Sequence, residues 1–252
     1  MAFNIKAYPH WPKRFGLPKL FNSAGPGLCR VCDRWCTQPL CENCLQIHQA
    51  RTLRCRLCGL PCTLEICSAC LSQPPLWQDC ASAVAYTEPW RGLIIDFKFH
   101  ENPGLAKFLA RVILNNPQAR ELVHAADALV PVPVHKDKLR QRGFNPALCL
   151  ARALAKDRCL DDALVKWRQT RAQSGLDHAQ RLSNLSHAIT ANPSMTRQLK
   201  SRHVLLVDDV MTTGSTLHTC AQALFDAGVQ RVSCVVLARA EPNSQAQSVS
   251  LD

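Results

Sequence analysis

The sequence has no apolar run long enough to cross a membrane: nowhere do its 252 residues reach the roughly 18 uncharged apolar positions that a span requires. No secretory leader is expected either, because Pro9, Pro12, Lys13, Arg14, Pro18 and Lys19 interrupt any apolar stretch in the first 28 residues. Both absences lead to the expectation of a cytoplasmic protein with no membrane insertion. Neither G-x4-G-K-[ST] nor G-x-G-x-x-G occurs, so the chain is neither a P-loop motor nor a carrier of the dinucleotide fingerprint. Aromatic side chains make up only 6% of the chain, and only Trp35 and Trp77 lie in or beside its cysteine-rich segment. That is a thin provision for stacking nucleic-acid bases.

Apolar substance is not scarce. With 47% apolar and 19% charged residues, the chain can bury a sizeable core and is too apolar to be disordered. Thirty Lys and Arg against 19 Asp and Glu give a formal charge of +11. The excess is uneven: residues 1–80 carry +5, residues 81–200 carry +8 and residues 201–252 carry −2. An acidic partner follows as an expectation, whether nucleic acid, phosphate ester or anionic lipid.

Cysteine is the larger anomaly, with 15 in all and ten between Cys29 and Cys70. Residues 29–44 (CRVCDRWCTQPLCENC) and 55–70 (CRLCGLPCTLEICSAC) repeat one spacing, C-x2-C-x3-C-x4-C-x2-C, at an offset of 26 residues. Each copy offers two C-x-x-C knuckles: Cys29/Cys32 with Cys41/Cys44, and Cys55/Cys58 with Cys67/Cys70. Two knuckles complete a tetrahedral four-thiolate shell for zinc, which leaves no position for water and marks a structural site. Segments of this size and low apolar content need metal to supply folding free energy. A copied unit binding its own ion favours two successive sites over an interleaved pairing. The same ligands also suit an iron–sulfur cluster. Cys36 and Cys62 fall outside the pairwise arithmetic and read as packing thiols.

From about residue 80 strands and helices alternate, which argues for an α/β fold with a parallel sheet. Residues 81–86 read as a strand, 89–99 and 103–115 as helices, 127–134 as a buried strand, and 144–156 as a helix with Phe144, Leu148, Ala151 and Leu154 on one face. The most informative stretch is HVLLVDDVMTTGSTL, residues 203–217. Residues 204–207 form an apolar central strand, Asp208 and Asp209 end it, and a hydroxyl-rich turn at Gly214 leads into a helix over 215–227 that Gly228 closes. Main-chain N–H groups and hydroxyls of Thr212, Thr213, Gly214, Ser215 and Thr216 can surround a phosphate at the positive end of that helix. The two carboxylates suit neutral sugar hydroxyls or Mg2+. A sugar phosphate satisfies both halves. A buried strand ending in a capped turn would use the same residues.

LVDDVMTTGST resembles the phosphoribosyl pyrophosphate (PRPP) signature of type I phosphoribosyltransferases. With Asp96-Phe97-Lys98-Phe99, the VPVP of residues 130–133, the RGFN of residues 142–145, Thr170/Gln173/Leu176 and Arg181/Asn184, the chain is similar to the ComF family of competence-associated proteins, which includes proteins labelled GntX. The resemblance covers roughly residues 29–240. It implies a phosphoribosyltransferase-like parallel sheet flanked by helices and preceded by a small double zinc ribbon. Asp208 and Asp209 would hold the PRPP ribose, and Thr212–Thr216 its 5′-phosphate. Lys98, Arg140, Arg142 and Arg181 are candidates for the pyrophosphate and the closing loop. Lys136, Lys138, Arg140 and Arg142 equally suit a solvated face. The family usually has Gln where this chain has Pro146, which is either a neutral helix-start proline or a lost polar contact.

The expected organisation is an N-terminal extension (1–28), a double zinc ribbon (29–78), a phosphoribosyltransferase-like domain (79–240) and a tail (241–252). The expected cofactors are two structural Zn ions, and Mg with PRPP. The expected function is binding of PRPP or a related sugar phosphate, with phosphoribosyl transfer to an acceptor, in association with DNA uptake. The alternative is a non-catalytic module that binds single-stranded DNA or DNA-uptake proteins.

Overall fold

A computed structural model describes residues 27–49, 52–99, 102–167 and 189–241. The cysteine-rich segment opens with a small antiparallel pair, β1 (Gly27–Leu28) and β2 (Trp35–Cys36), followed by the short helices α1 (Glu42–His48) and α2 (Ser68–Ser72). The body comprises β3 (Asp79–Ala85), α3 (Trp90–Phe99), α4 (Leu105–Asn115), α5 (Pro117–Ala125), β4 (Ala128–Pro131), α6 (Lys136–Arg142) and α7 (Pro146–Ala155). It continues through β5 (Leu164–Lys166), β6 (Ile189–Ala191), α8 (Thr196–Leu199), β7 (His203–Met211), α9 (Ser215–Asp226) and β8 (Arg231–Arg239).

Four strands form one sheet in the order β3-β8-β7-β4, every neighbouring pair parallel. β5 and β6 make a separate antiparallel pair. Parallel strands covered on both faces read as unbroken apolar runs, and VLLV in β7 behaves so. Leu205 and Val207 join the cluster under α3, α4, α5 and α7, whereas Val204 and Leu206 join the cluster under α9. Leu205 is fully buried, which contributes about 1.5–3 kcal/mol.

Asparagine caps and prolines set two helix starts. Asn116 accepts from Ala119 N at 3.0 Å with Pro117 behind it, and Asn145 accepts from Ala147 N at 3.0 Å with Pro146 behind it. Pro146 therefore occupies the first helical position, where its missing N–H has no intrahelical acceptor to lose. Asn145 Nδ2 also donates to Val132 O at 3.0 Å, tying this turn to the end of β4.

Three sequence expectations change. β7 does not stop at the acidic pair, because β8 continues to pair with it: Asp208 lies opposite Val236, Val210 opposite Ala238 and Met211 opposite Arg239. β4 is shorter than residues 127–134, in keeping with prolines that cannot donate to a ladder. The buried face of α7 is set by Ala147, Leu150, Ala151 and Ala155, while Phe144 and Leu154 are only partly covered.

The cysteine-rich segment is not set apart from the body. Cys29, Leu40, Cys41, Cys44 and Leu45 belong to the same buried cluster as α3, α4 and the sheet. Trp90 Nε1 donates to His48 O at 2.9 Å, and Arg30 pairs with Asp96.

Candidate functional site

The eight knuckle cysteines assemble into two groups, Cys29/Cys32/Cys41/Cys44 and Cys55/Cys58/Cys67/Cys70, with all sulfurs of a group within 4.8 Å of one another. Pairing is successive. Tetrahedral zinc with Zn–S of about 2.3 Å would separate its sulfurs by about 3.8 Å; Cys32 and Cys41 stand 3.6 Å apart, Cys58 and Cys67 3.7 Å. The donor set therefore fits zinc. Both groups use one device to favour thiolate: the N–H twelve residues on donates to the first sulfur, Cys41 N to Cys29 Sγ and Cys67 N to Cys55 Sγ, each at 3.3 Å. Burial pushes the Cys29 and Cys55 thiols up, but their N–H donors outweigh it and hold them at about 6 and about 7. Cys36 and Cys62 lie outside both groups, and Cys36 donates to Gln38 O at 3.0 Å.

The second centre lies at the carboxyl end of β7. Chain topology places Asp208, Asp209 and the following turn there, at the rim where ligands of parallel sheets bind. Gly214 takes φ +82°, caps α9 and sits against Trp77: a Cβ added to it would meet Met211 Cε at 3.1 Å and Trp77 Cη2 at 3.3 Å. Thr213 Oγ1 lies 2.8 Å from Ser215 Oγ and accepts from Ser215 N at 3.3 Å. Thr212 and Thr213 are exposed, and Ser215 and Thr216 half-exposed. The twelve-residue α9 leaves N–H groups of its first turn without intrahelical acceptors, at the positive end of its dipole.

The acidic pair is strongly biased by its surroundings. Burial and the charge of Asp209 push the Asp208 carboxyl up to about 7, against the opposing pull of the Asp209 N–H, Lys98 and Lys166. Asp209 Oδ1 pairs with Lys98 Nζ at 2.7 Å, and both side chains are largely covered. Arg142 lies over the ring of Phe99, 4.9 Å from its centroid, so α3 and α6 bring Lys98 and Arg142 to neighbouring positions. Arg140 is exposed on α6 and lies 3.9 Å from Asp137. Arg181, with Thr170, Gln173, Leu176 and Asn184, lies outside the described residues.

Residues 139–250 match the family model described as "Phosphoribosyl transferase domain". "Competence protein F" of Haemophilus influenzae is 31% identical over 176 residues, covering 68% of this chain and 76% of that protein. The chain belongs to the ComF family. Two other similar proteins are "DNA utilization protein YhgH" of Escherichia coli K12, 32% identical over 67% of this chain and 75% of that protein, and "Competence protein ComFC" of Bacillus subtilis, 35% identical over 40% and 39%.

In this ComF-family chain three residues near the site escaped sequence reasoning. Burial pushes the Lys166 ammonium down, repulsion from Lys138 adds to this and the Asp208 carboxylate opposes it, so Lys166 lies within electrostatic reach of Asp208. Its signal in the sequence is only a lysine at the end of a short strand. Trp77 and Arg239 reach the turn from residues far along the chain, and no local pattern marks them. Among the described residues no helix is long and apolar enough to cross a membrane.

Proposed function

We propose that this chain binds PRPP, with Mg2+, at the carboxyl end of β7, and transfers its phosphoribosyl group to an acceptor in association with DNA uptake. One observation carries the reading: an acidic pair, half-buried Asp208 and buried Asp209, stands directly before a glycine turn that feeds the N-terminus of α9. Anions are favoured where unpaired N–H groups and the helix dipole coincide. The 5′-phosphate therefore goes to Thr212, Thr213, Gly214, Ser215 and Thr216. Two carboxylates would repel a bare polyphosphate, so the neutral ribose hydroxyls go to Asp208 and Asp209.

Lys98 and Arg142 offer positive charge for the diphosphate, with Arg140 and Arg181 as further candidates. Mg2+ would offset part of the charge on the departing diphosphate. In the transfer, the bond from the anomeric carbon to pyrophosphate breaks as the acceptor's nucleophile bonds to that carbon. Such a displacement depends on charge stabilisation and exclusion of water more than on a dedicated base. The two four-cysteine groups serve as structural zinc ribbons over residues 29–78, ahead of the phosphoribosyltransferase-like domain of residues 79–240.

Calorimetric titration of PRPP into zinc-loaded protein, with and without Mg2+, tests the reading. Saturable binding is expected, lost in Asp208→Ala/Asp209→Ala; pyrophosphate release with candidate acceptors then identifies the transfer. Folded, zinc-loaded protein that ignores PRPP would sink it. A second reading, binding of single-stranded DNA, draws on relatives named for competence and DNA utilization and on the +11 charge. It requires affinity that falls steeply with salt.

A further inference from the structure

The second cysteine group stands against the phosphate turn, and its contacts converge on one knuckle. Three consecutive carbonyls of that knuckle are engaged by the body. Arg56 O accepts from Cys80 N at 2.6 Å, Leu57 O from Trp77 Nε1 at 2.6 Å, and Cys58 O from Arg239 Nε at 2.8 Å. Gly59, at φ +69°, completes the approach: a Cβ there would meet Ser82 Cβ at 3.0 Å and Arg239 Cδ at 3.8 Å. Cys55 and Cys58 bracket these carbonyls and are both members of the second sulfur group.

The same two side chains continue to the turn. Arg239 Nη1 donates to Met211 O at 3.0 Å, to Ala240 O at 2.8 Å and to Thr212 O. Arg239 is only 6% exposed, and each hydrogen bond of its guanidinium to the described residues ends on a backbone carbonyl. Trp77, 5% exposed, lays its ring edge against Gly214. In a planar trans peptide the C=O and the following N–H point in opposite directions. Holding the carbonyls of Met211 and Thr212 on Arg239 therefore aims the N–H groups of Thr212 and Thr213 away from it. Those are two of the donors assigned to the phosphate.

We propose that Arg239 and Trp77 are positioning residues that couple the Cys55/Cys58/Cys67/Cys70 metal site to the phosphate turn, so that metal at this site sets the turn's order and its affinity for phosphate. A four-thiolate zinc centre carries a formal −2 and lies beside a buried cation that has no carboxylate bound to it among the described residues. Metal loading thus fixes the knuckle's carbonyls and supplies the counter-charge that keeps Arg239 in place. Among the described residues the first cysteine group makes no hydrogen bond to Arg239, Trp77 or the turn: its hydrogen bonds and ion pair to the body reach α3 and α4. Coupling between sites is reciprocal in binding free energy. Phosphate ligands therefore tighten zinc at the second group and not at the first. The turn's ligand rests on the PRPP reading above; its ordering does not.

Hydrogen–deuterium exchange on the full zinc-loaded chain, without ligand, tests the coupling. Cys58→Ser keeps the Cys58 carbonyl but removes one sulfur; its zinc content should fall from two to one. Exchange in peptides covering residues 211–217 should then rise at least tenfold, while β4 and α5 stay protected. Cys32→Ser should lose the other zinc and leave residues 211–217 as in the wild type. An unchanged turn in Cys58→Ser, or an equal rise in both variants, overturns the proposal. Should Cys58→Ser fail to fold, Arg239→Lys keeps the charge, loses the fork and both zincs remain; a turn as protected as the wild type's also overturns it. PRPP titrated into the same samples should bind at least tenfold more weakly to Arg239→Lys. A wild type that ignores PRPP counts against the substrate reading alone, because the exchange result stands without it.

Discussion

Asp208 keeps its proton into a range where a solvent-exposed aspartate has long lost it, because burial and the neighbouring Asp209 charge raise its pKa from 3.8 to about 7. Between those values the folded chain holds a proton that the unfolded chain has released. The stability this contributes is complete below about pH 4 and is lost as pH rises through 7. Asp208→Asn removes the titration, so the variant should gain on the wild type as pH rises from 5 to 8, read as the difference in urea midpoints. A constant gap would contradict the assignment. Gly214 is the other residue whose conformation is costly to copy. A left-handed φ and two close neighbours make Gly214→Ala cost about 1–2 kcal/mol, measurable by thermal or urea unfolding.

At the scale of elements, the start of α7 links helix and sheet through one side chain. Asn145 caps Ala147 N and donates to Val132 O. Asn145→Ala should cost about 1–2 kcal/mol, whereas Pro146→Gln should change stability little. The apolar core of β7 and the helix after it were legible because VLLV and the spacing of Leu217, Ala221 and Leu224 are local signals. The continuation of β7 past Asp208 was not, because the ladder that extends it belongs to β8. Lys98 was legible as a basic residue near the site but not as the partner of Asp209, which lies 111 positions further on, in a contact only the fold makes. Arg239 was invisible for the same reason: the carbonyl it holds at Cys58 is 181 positions away.

For the whole molecule, the cysteine repeat foretold two successive four-cysteine groups but not their intimacy with the body. Cys29, Cys41 and Cys44 share a buried cluster with α3 and α4, and Asp79 binds Arg56 and Arg231, each at 2.7 Å, joining the second group to the sheet. Removing zinc with a strong chelator should therefore lower the unfolding temperature of the entire chain rather than melt a separate module, since ligand loss withdraws binding free energy from one folded unit. Calorimetry would show a single shifted transition. A small early transition ahead of an unchanged main one would contradict this. Two zinc–tetrathiolate centres would also reduce the formal charge from +11 to about +7. The basic excess then lies chiefly in residues 81–200, which include Lys98, Arg140, Arg142 and Lys166, so an anionic small molecule accounts for it at least as well as DNA does. The most direct test is a crystal structure of the zinc-loaded protein grown with Mg2+ and PRPP. The account predicts the 5′-phosphate within hydrogen-bond distance of the N–H groups of residues 212–216 and the ribose hydroxyls on Asp208 and Asp209; PRPP bound elsewhere, or a turn left empty at saturating PRPP, would contradict it.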